Sequence, residues 1–299
     1  MIKTFAELEQ AAKSRPSRRL ALAMAEEADA LKAVVSAAKQ NIVEPILVGD
    51  ESAVRDIAGR EGLDISPYRI VDLEGEEQCA ERAVALVRGG EAEVLMKGRT
   101  PTAVIMRAIL NRKSGLRGAG VLSHVSIIEI ESYHKFLLMS DPGINIAPDL
   151  ATKANIIRNA VGVAHKLGIE LPKVAVIAAV EKVNPEAMPA TADAALLAKM
   201  SERGQITGCI VDGPFALDNA LSEKSCRTKG IKTEVGGDAD ILLMPDIEAA
   251  NVFYKTLAYL VQAKIAALTI GARAPVVMSS RADSDTIKYL SILGAVSLV

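Results

Sequence analysis

Along the first 112 residues, short uninterrupted apolar runs alternate with longer stretches whose apolar positions recur every three or four residues. The first kind of run suits a strand buried on both faces, the second an amphipathic helix. The pattern predicts strands at 20–24, 45–49, 68–73 and 94–97. Each is followed by a predicted helix, at 26–39, 52–60, 76–88 and 102–112. Strands and helices alternating in this way build a mostly parallel sheet covered by helices on both faces.

The rhythm breaks at 113–120, a joint rich in glycine and cations. Two apolar runs then lie close together, 121–130 and 136–139. The connection between them is too short for a helical crossover, so an antiparallel hairpin is expected. Alternation resumes with helix 151–167, strand 174–180, helix 191–203, strand 206–211, strand 240–244 and helix 249–262. Strands 265–270 and 275–278 and a closing helix 283–293 complete the pattern. The chain thus reads as α/β, with two lobes of three-layer αβα type. Residues 1–120 with 279–299 are expected to form a discontinuous first domain and 121–278 the second, because the closing helix is too small to stand alone. An active-site cleft is expected between the lobes, since pockets favour domain interfaces and the carboxyl ends of strands.

Composition narrows the function. The 35 basic and 37 acidic residues leave a net charge of −2, which gives no general pull toward nucleic acid or an anionic membrane. Aromatic residues make up only 3% of the chain and tryptophan is missing, which argues against a base-stacking surface. Cys79, Cys209 and Cys226 are widely spaced and form no C-x-x-C pair, as suits a reducing compartment. The amino-terminal segment is charged throughout, and no apolar run reaches the roughly 18 residues of a membrane span. A cytoplasmic protein is expected. His124, His134 and His165 lack zinc spacing, so no metal is expected either. Neither a G-x-S-x-G nor a Walker A sequence occurs.

Four segments beside predicted strand ends carry more polar groups than turns require. Lys97 and Gly98 open a loop running to Thr102, before a helix that carries Arg107. A glycine and a helix amino-terminus there suit an anion, although Thr100 or Thr102 as a cap and Pro101 in the first turn explain much of it. Ser123 and His124 sit in an apolar run, where a histidine is more often a satisfied core residue than a base. The loop 140–149 holds Asp141, Asn145 and two prolines, with Asp149 placed to cap the next helix. Asn145, between apolar neighbours, points toward a ligand or a buried backbone bond. Finally, Ser279, Ser280, Arg281 and Asp283 precede the last helix, which Asp283 or Ser284 can cap. A cation at a helix amino-terminus is unfavourable by about 0.3–1 kcal/mol unless it meets an anion, so Arg281 points to an anion site.

These segments, in this order, resemble the phosphate acetyl/butyryltransferase family, on its butyryl-transferring side. The resemblance covers nearly the whole chain. It is strongest in Glu181-Lys182-Val183-Asn184-Pro185, Asp212-Gly213-Pro214, Asp218-Asn219, Lys229-Gly230-Ile231, Ala239-Asp240-Ile241-Leu242 and Ser280-Arg281-Ala282-Asp283-Ser284. It implies reversible conversion of acyl-CoA and phosphate to acyl phosphate and CoA, two α/β lobes and a homodimer. CoA and phosphate are then substrates, with no cofactor, metal or covalent enzyme intermediate. It also implies that Arg107, Asn145, Ser280 and Arg281 match family site residues. Lys97, Gly98, Ser123 and His124 join them as candidate substrate contacts.

Two departures stand out. Acetyl-transferring members carry an Asp six residues after the Arg that matches Arg281, where this chain has Ile287. Asp283 is then the candidate base for the thiol. A family Gly-Asn pair reads Ala250-Asn251 here, which questions the local backbone. The alternatives are acetyl transfer and a catalytically degenerate anion-binding member of the fold. A nicotinamide-dependent decarboxylating dehydrogenase lacks the carboxylate set expected for its metal.

Overall fold

The computed structural model describes all 299 residues. The apolar periodicity becomes nearly the elements expected, together with two short helices at Leu217–Leu221 and Glu223–Lys229 and one longer helix at the start of the chain that the pattern does not predict. This is α1 (Phe5–Lys13), whose Phe5, Leu8 and Ala12 form a single buried stripe. The first stretch continues with β1 (Arg18–Ala23), α2 (Ala28–Lys39), β2 (Val43–Gly49), α3 (Glu51–Arg60), β3 (Arg69–Asp72), α4 (Glu76–Arg88), β4 (Val94–Lys97) and α5 (Thr102–Leu110). The middle stretch holds the antiparallel hairpin of β5 (Ser123–Glu129) and β6 (Leu137–Ser140), then α6 (Leu150–Lys166), β7 (Lys173–Ile177), α7 (Pro189–Glu202) and β8 (Ile210–Phe215). It goes on through α8 (Leu217–Leu221), α9 (Glu223–Lys229), β9 (Ile241–Leu243), α10 (Ile247–Lys255) and a π-helical turn, Thr256–Val261. Last come β10 (Lys264–Ile270), β11 (Val276–Val277) and α11 (Asp285–Ser297).

The chain divides into two compact units: Phe5–Gly120 with Ile265–Val299, and Val121–Lys264 with Met1–Thr4. The return to the first unit therefore comes at 265 rather than 279. The reason is strand pairing, since β11 runs parallel to β4 with Val276 opposite Leu95, and β10 pairs antiparallel with β11. The glycine-rich joint is also no free linker. Arg117 bridges to Ala272, and a Cβ on Gly118 would lie 2.1 Å from the Gly271 carbonyl.

In the first unit the strands lie in the order β3-β2-β1-β4-β11-β10, parallel from β3 to β11. The chain moves one way from β1 to β3 and then jumps back over β1 to β4. Right-handed crossovers therefore place α2 and α3 on one face and α4 on the other. Helix α11 packs on α2, on α1 and on β4 and β11, as expected of a closing helix that returns to the first half.

In the second unit the order is β5-β6-β9-β7-β8, with α6 and α7 packed on the strands. The last of these, β8, runs through 210–215 instead of the expected 206–211. Gly208, at φ 76°, makes a turn where the strand was expected. Asp212-Gly213-Pro214 lies within the strand. Pro214 is tolerated because β8 ends the strand order and needs fewer backbone donors there.

Candidate active site

In the first unit the loops after β1, β2, β4 and β11 emerge at the carboxyl end of one parallel sheet. The order in which successive strands are added reverses between β1 and β4, which is where ligands bind in open α/β sheets. The crevice is tightly built. Gly98 N donates to the Ala23 carbonyl at 2.9 Å, Arg99 N to the Met24 carbonyl at 3.0 Å and the Thr100 hydroxyl to the Ala23 carbonyl at 3.2 Å. A Cβ on Gly98 would stand 2.2 Å from the Met24 carbonyl oxygen. Gly98 is thus needed for the approach of two strand ends. Thr100 is tied to β1 and caps nothing; Pro101 occupies the N-cap position of α5 and Thr102 begins the helix.

Lys97 is buried, only 3% exposed, at the end of β4. Its ammonium donates to the carbonyls of Gly98 at 3.1 Å and Thr100 at 3.2 Å. An ammonium carries three donors, so one is left for a ligand. Burial pushes its pKa below the usual lysine value, with Glu27 acting against this and Arg281 and Lys288 adding to it. These side chains therefore share one electrostatic environment.

The loop after β11 carries the other candidates. Ser284 caps α11, its hydroxyl accepting from Ile287 N at 3.3 Å, so the position of the missing aspartate lies in the first helical turn. Asp283 is buried and its carboxylate accepts from Ser280 N at 2.7 Å, folding the loop back on itself. Ser280 and Arg281 are exposed, and Arg281 makes no hydrogen bond or ion pair within the chain. The Ser279 hydroxyl is buried with no partner. Lys288, which sequence reasoning missed, lies beneath this loop and is 1% exposed. A charged residue in the otherwise apolar register of α11 was the available signal.

Arg107 stands apart from this group. It lies on the exposed face of α5 and pairs with Glu77 of α4 at 2.8 Å, beside Glu81 and Asn111.

The second unit gathers Ser123, His124 and Asn145. Ser123 is buried and its hydroxyl accepts from the Asn159 amide at 2.8 Å. His124 Nε2 lies 3.1 Å from the Ser126 hydroxyl, and its ring meets Tyr254 edge-on. That is the satisfied core histidine the sequence favoured. Asn145 donates to the Leu122 carbonyl at 2.8 Å and to Asp141 Oδ2 at 2.6 Å, so its side chain makes the buried backbone bond. Asp149 caps α6 as expected, accepting from Thr152 N at 2.8 Å. Ala250 sits in helical α10, so its backbone needs no glycine. The neighbouring Asn251 donates to the Pro142 carbonyl at 3.1 Å and ties the 140–149 loop to α10.

Cys79 and Cys209 are buried, and burial pushes both thiols up to about 11. Cys226 is buried and raised as well, so none of the three is an activated nucleophile. No group of three or more His, Cys, Asp or Glu side chains is placed to hold a metal ion. No helix is long and apolar enough to cross a membrane.

A strand-end site with a free arginine and a buried lysine suits an anionic substrate, and the comparisons give the family. The family model described as "Phosphate acetyl/butaryl transferase" matches residues 4–85 and 77–295. The chain belongs to that family. It is 46% identical over 292 residues to the phosphate butyryltransferase of Clostridium beijerinckii, an alignment covering 98% of this chain and 96% of that one. It is 44% identical over 275 residues to the phosphate acetyltransferase of Thermotoga maritima, covering 92% and 93%. Among solved structures, a branched-chain phosphotransacylase from Enterococcus faecalis V583 superposes with a TM-score of 0.83 at 32% identity, covering 94% of this chain and 98% of that one.

Proposed function

We propose that this protein transfers a short-chain acyl group, butyryl foremost, reversibly between CoA and inorganic phosphate. The observation that carries the site is Arg281, an exposed guanidinium with no partner in the chain, one loop away from buried Lys97. Both are suited to hold a phosphate, Arg281 through its planar fork and Lys97 through its remaining donor.

In the direction of acyl-CoA synthesis, the CoA thiolate attacks the carbonyl carbon of the acyl phosphate. A carbon–sulfur bond forms, the bond from the acyl carbon to the bridging oxygen breaks, and phosphate leaves with that oxygen and the electron pair. Arg281 and Lys97 bind the phosphate oxygens and stabilise the leaving group. The Ser280 hydroxyl donates to the developing oxyanion. Asp283, already engaged with Ser280 N, shapes the loop. A thiol of pKa about 8.5 is about 3% ionised at pH 7, so a dedicated base would gain only about 30-fold, or roughly 2 kcal/mol. Loss of one oxyanion donor costs about 2.7–4 kcal/mol, so the phosphate and oxyanion contacts outweigh the base. Arg107 reaches a substrate only by giving up Glu77, an exposed pair of small stabilising effect. In the second unit, Asn145 and Ser123 shape the strand-end loops, and His124 packs beneath them.

A cytoplasmic homodimer forms part of this reading. Val252, Tyr259, Leu260 and Val261, exposed at 68%, 56%, 81% and 48%, give α10 and its π-helical turn an apolar surface that supports self-association. Acetyl transfer is the second reading, motivated by the acetyltransferase relative. A methylene is worth only about 1–3 kcal/mol in an apolar pocket, so neighbouring chain lengths overlap as substrates.

The test is phosphate-dependent CoA release from acetyl-, propionyl-, butyryl- and isobutyryl-CoA, followed with a thiol reagent. The protein's own buried thiols leave the background low. A maximum at four carbons is expected. A maximum at two carbons makes the protein an acetyltransferase, and no release from a folded sample leaves an anion-binding member without catalysis.

A further inference from the structure

We propose that Lys288 is a positioning residue that holds the Ser280–Asp283 turn in the shape that presents Arg281 to phosphate. The inference rests on the function proposed above.

Lys288 is the fourth residue of α11, where the positive end of the helix disfavours a cation. It is also 1% exposed, where a charged group must be paired or hydrogen-bonded. Its retention there is explained by what it binds. The ammonium donates to the Asp283 carbonyl at 2.6 Å and the Ser280 carbonyl at 3.3 Å, and it pairs with Glu27 Oε1 at 3.1 Å. Those three contacts match the three donors of an ammonium, so Lys288 has none left for a substrate. Its effect passes through the loop. The two carbonyls it grips lie at the two ends of the turn that carries Arg281 between them. Asp283 closes the same turn from within, its carboxylate on Ser280 N. Glu27, in the segment after β1, anchors the ammonium to the strand-end crevice. Lys97 differs in this respect, since it is left with one free donor.

The experiment compares wild type, Arg281→Ala, Lys288→Met and the double variant, using steady-state kinetics with phosphate and acyl-CoA varied separately and thermal unfolding as the control. Methionine keeps the length and burial of lysine and removes the brace. Lys288→Met is expected to lower kcat/KM for phosphate about 10- to 100-fold, mainly through KM, because a displacement of about 1 Å in a positioning group costs on that order. The KM for acyl-CoA is expected to stay within about twofold. Residues acting as a unit lose activity non-additively, so adding Lys288→Met to Arg281→Ala should cost less than about threefold more. A folded Lys288→Met protein with unchanged kcat/KM for phosphate overturns the proposal, as does a double variant in which the losses multiply in full. If Lys288→Met does not fold, Glu27→Gln weakens the same anchor while leaving the carbonyl bonds. Glu27→Gln should raise the KM for phosphate, and an unchanged KM overturns the proposal. If instead wild type is inactive, or Arg281→Ala is without effect, the underlying phosphate reading fails, and this proposal falls with it.

Discussion

Two loops follow strand ends in the two units and look alike in sequence. The loop 140–149 follows β6 and the loop 278–284 follows β11; each holds an aspartate, serines or an asparagine, and a capped helix beyond. Their polar groups are used differently. Asp141 accepts from Gly143 N at 2.9 Å, Ile144 N at 3.0 Å, Asn145 N at 3.2 Å and the Asn145 amide at 2.6 Å. Asn145 then fastens that loop to Leu122, and Asn251 of α10 fastens it through the Pro142 carbonyl. The 278–284 loop makes the Asp283–Ser280 bond but leaves the Arg281 guanidinium without a partner in the chain and the buried Ser279 hydroxyl unbonded. Polar richness alone therefore does not mark a binding loop. Unused hydrogen-bonding capacity, held in place by a rigid frame, does.

The sharpest way to break this comparison is Arg281→Ala against Asp283→Asn. Arg281→Ala is expected to lower kcat/KM by about 10²–10³, the effect of losing a group that stabilises transition-state charge. Asp283→Asn, which retains an acceptor oxygen for Ser280 N, should lose less. A larger loss for Asp283→Asn in the CoA-release assay would restore the carboxylate as the thiol base.

Asp141→Ala probes the opposite kind of loop. It removes the acceptor for four N–H groups around a buried carboxylate, and hydrogen bonds to a charged group contribute about 1.5–3 kcal/mol each before compensation by water. A loss of stability of about 3 kcal/mol in urea unfolding is expected. A fully stable but inactive variant would show that this loop acts on substrate instead.

The smallest effect concerns acid. In the second unit Asp238 lies between Lys173 at 2.7 Å and Lys135 at 2.9 Å, with His134 at 3.1 Å. Burial pushes its carboxyl up, but the hydrogen bonds and charges of the two lysines outweigh this and hold it down at about 2, against 3.8 in an unstructured chain. A carboxyl depressed on folding stabilises the fold above the higher value, and that stability is lost as pH falls toward the lower one. The side chain is 41% exposed, so solvent screening keeps the effect modest. The difference in thermal midpoint between wild type and Asp238→Asn should be constant above about pH 4 and shrink toward pH 2. A difference that grows on acidification would contradict the depressed pKa.

Much of this was legible along the chain, and particular residues show why. Strands such as 94–97 and helix 76–88 stand where expected because their burial is set by local periodicity. Ser284 and Asp149 cap their helices because capping needs only the next three residues. The oddity of Arg281 ahead of a helix was visible for the same local reason. The strand expected at 206–211 lies at 210–215, because Gly208 bends the chain first and only a neighbouring strand shows that Pro214 can sit at an edge. Helix α1 was overlooked because its stripe of three apolar residues gains meaning only when α11 packs on it.

The sequence by itself determined the α/β class, the family and which strand-end segments carry polar chemistry, since hydrophobic period, caps and ordered motifs are all short-range. The tertiary structure decided which of those groups are already bonded. It joined Lys288 to Glu27 across 261 residues of chain, set Gly98 against the end of β1, and turned Arg107 to Glu77 and Asn145 to Leu122. Hydrogen-bond satisfaction and the depressed pKa of Lys97 depend on partners and burial that only the packed chain supplies.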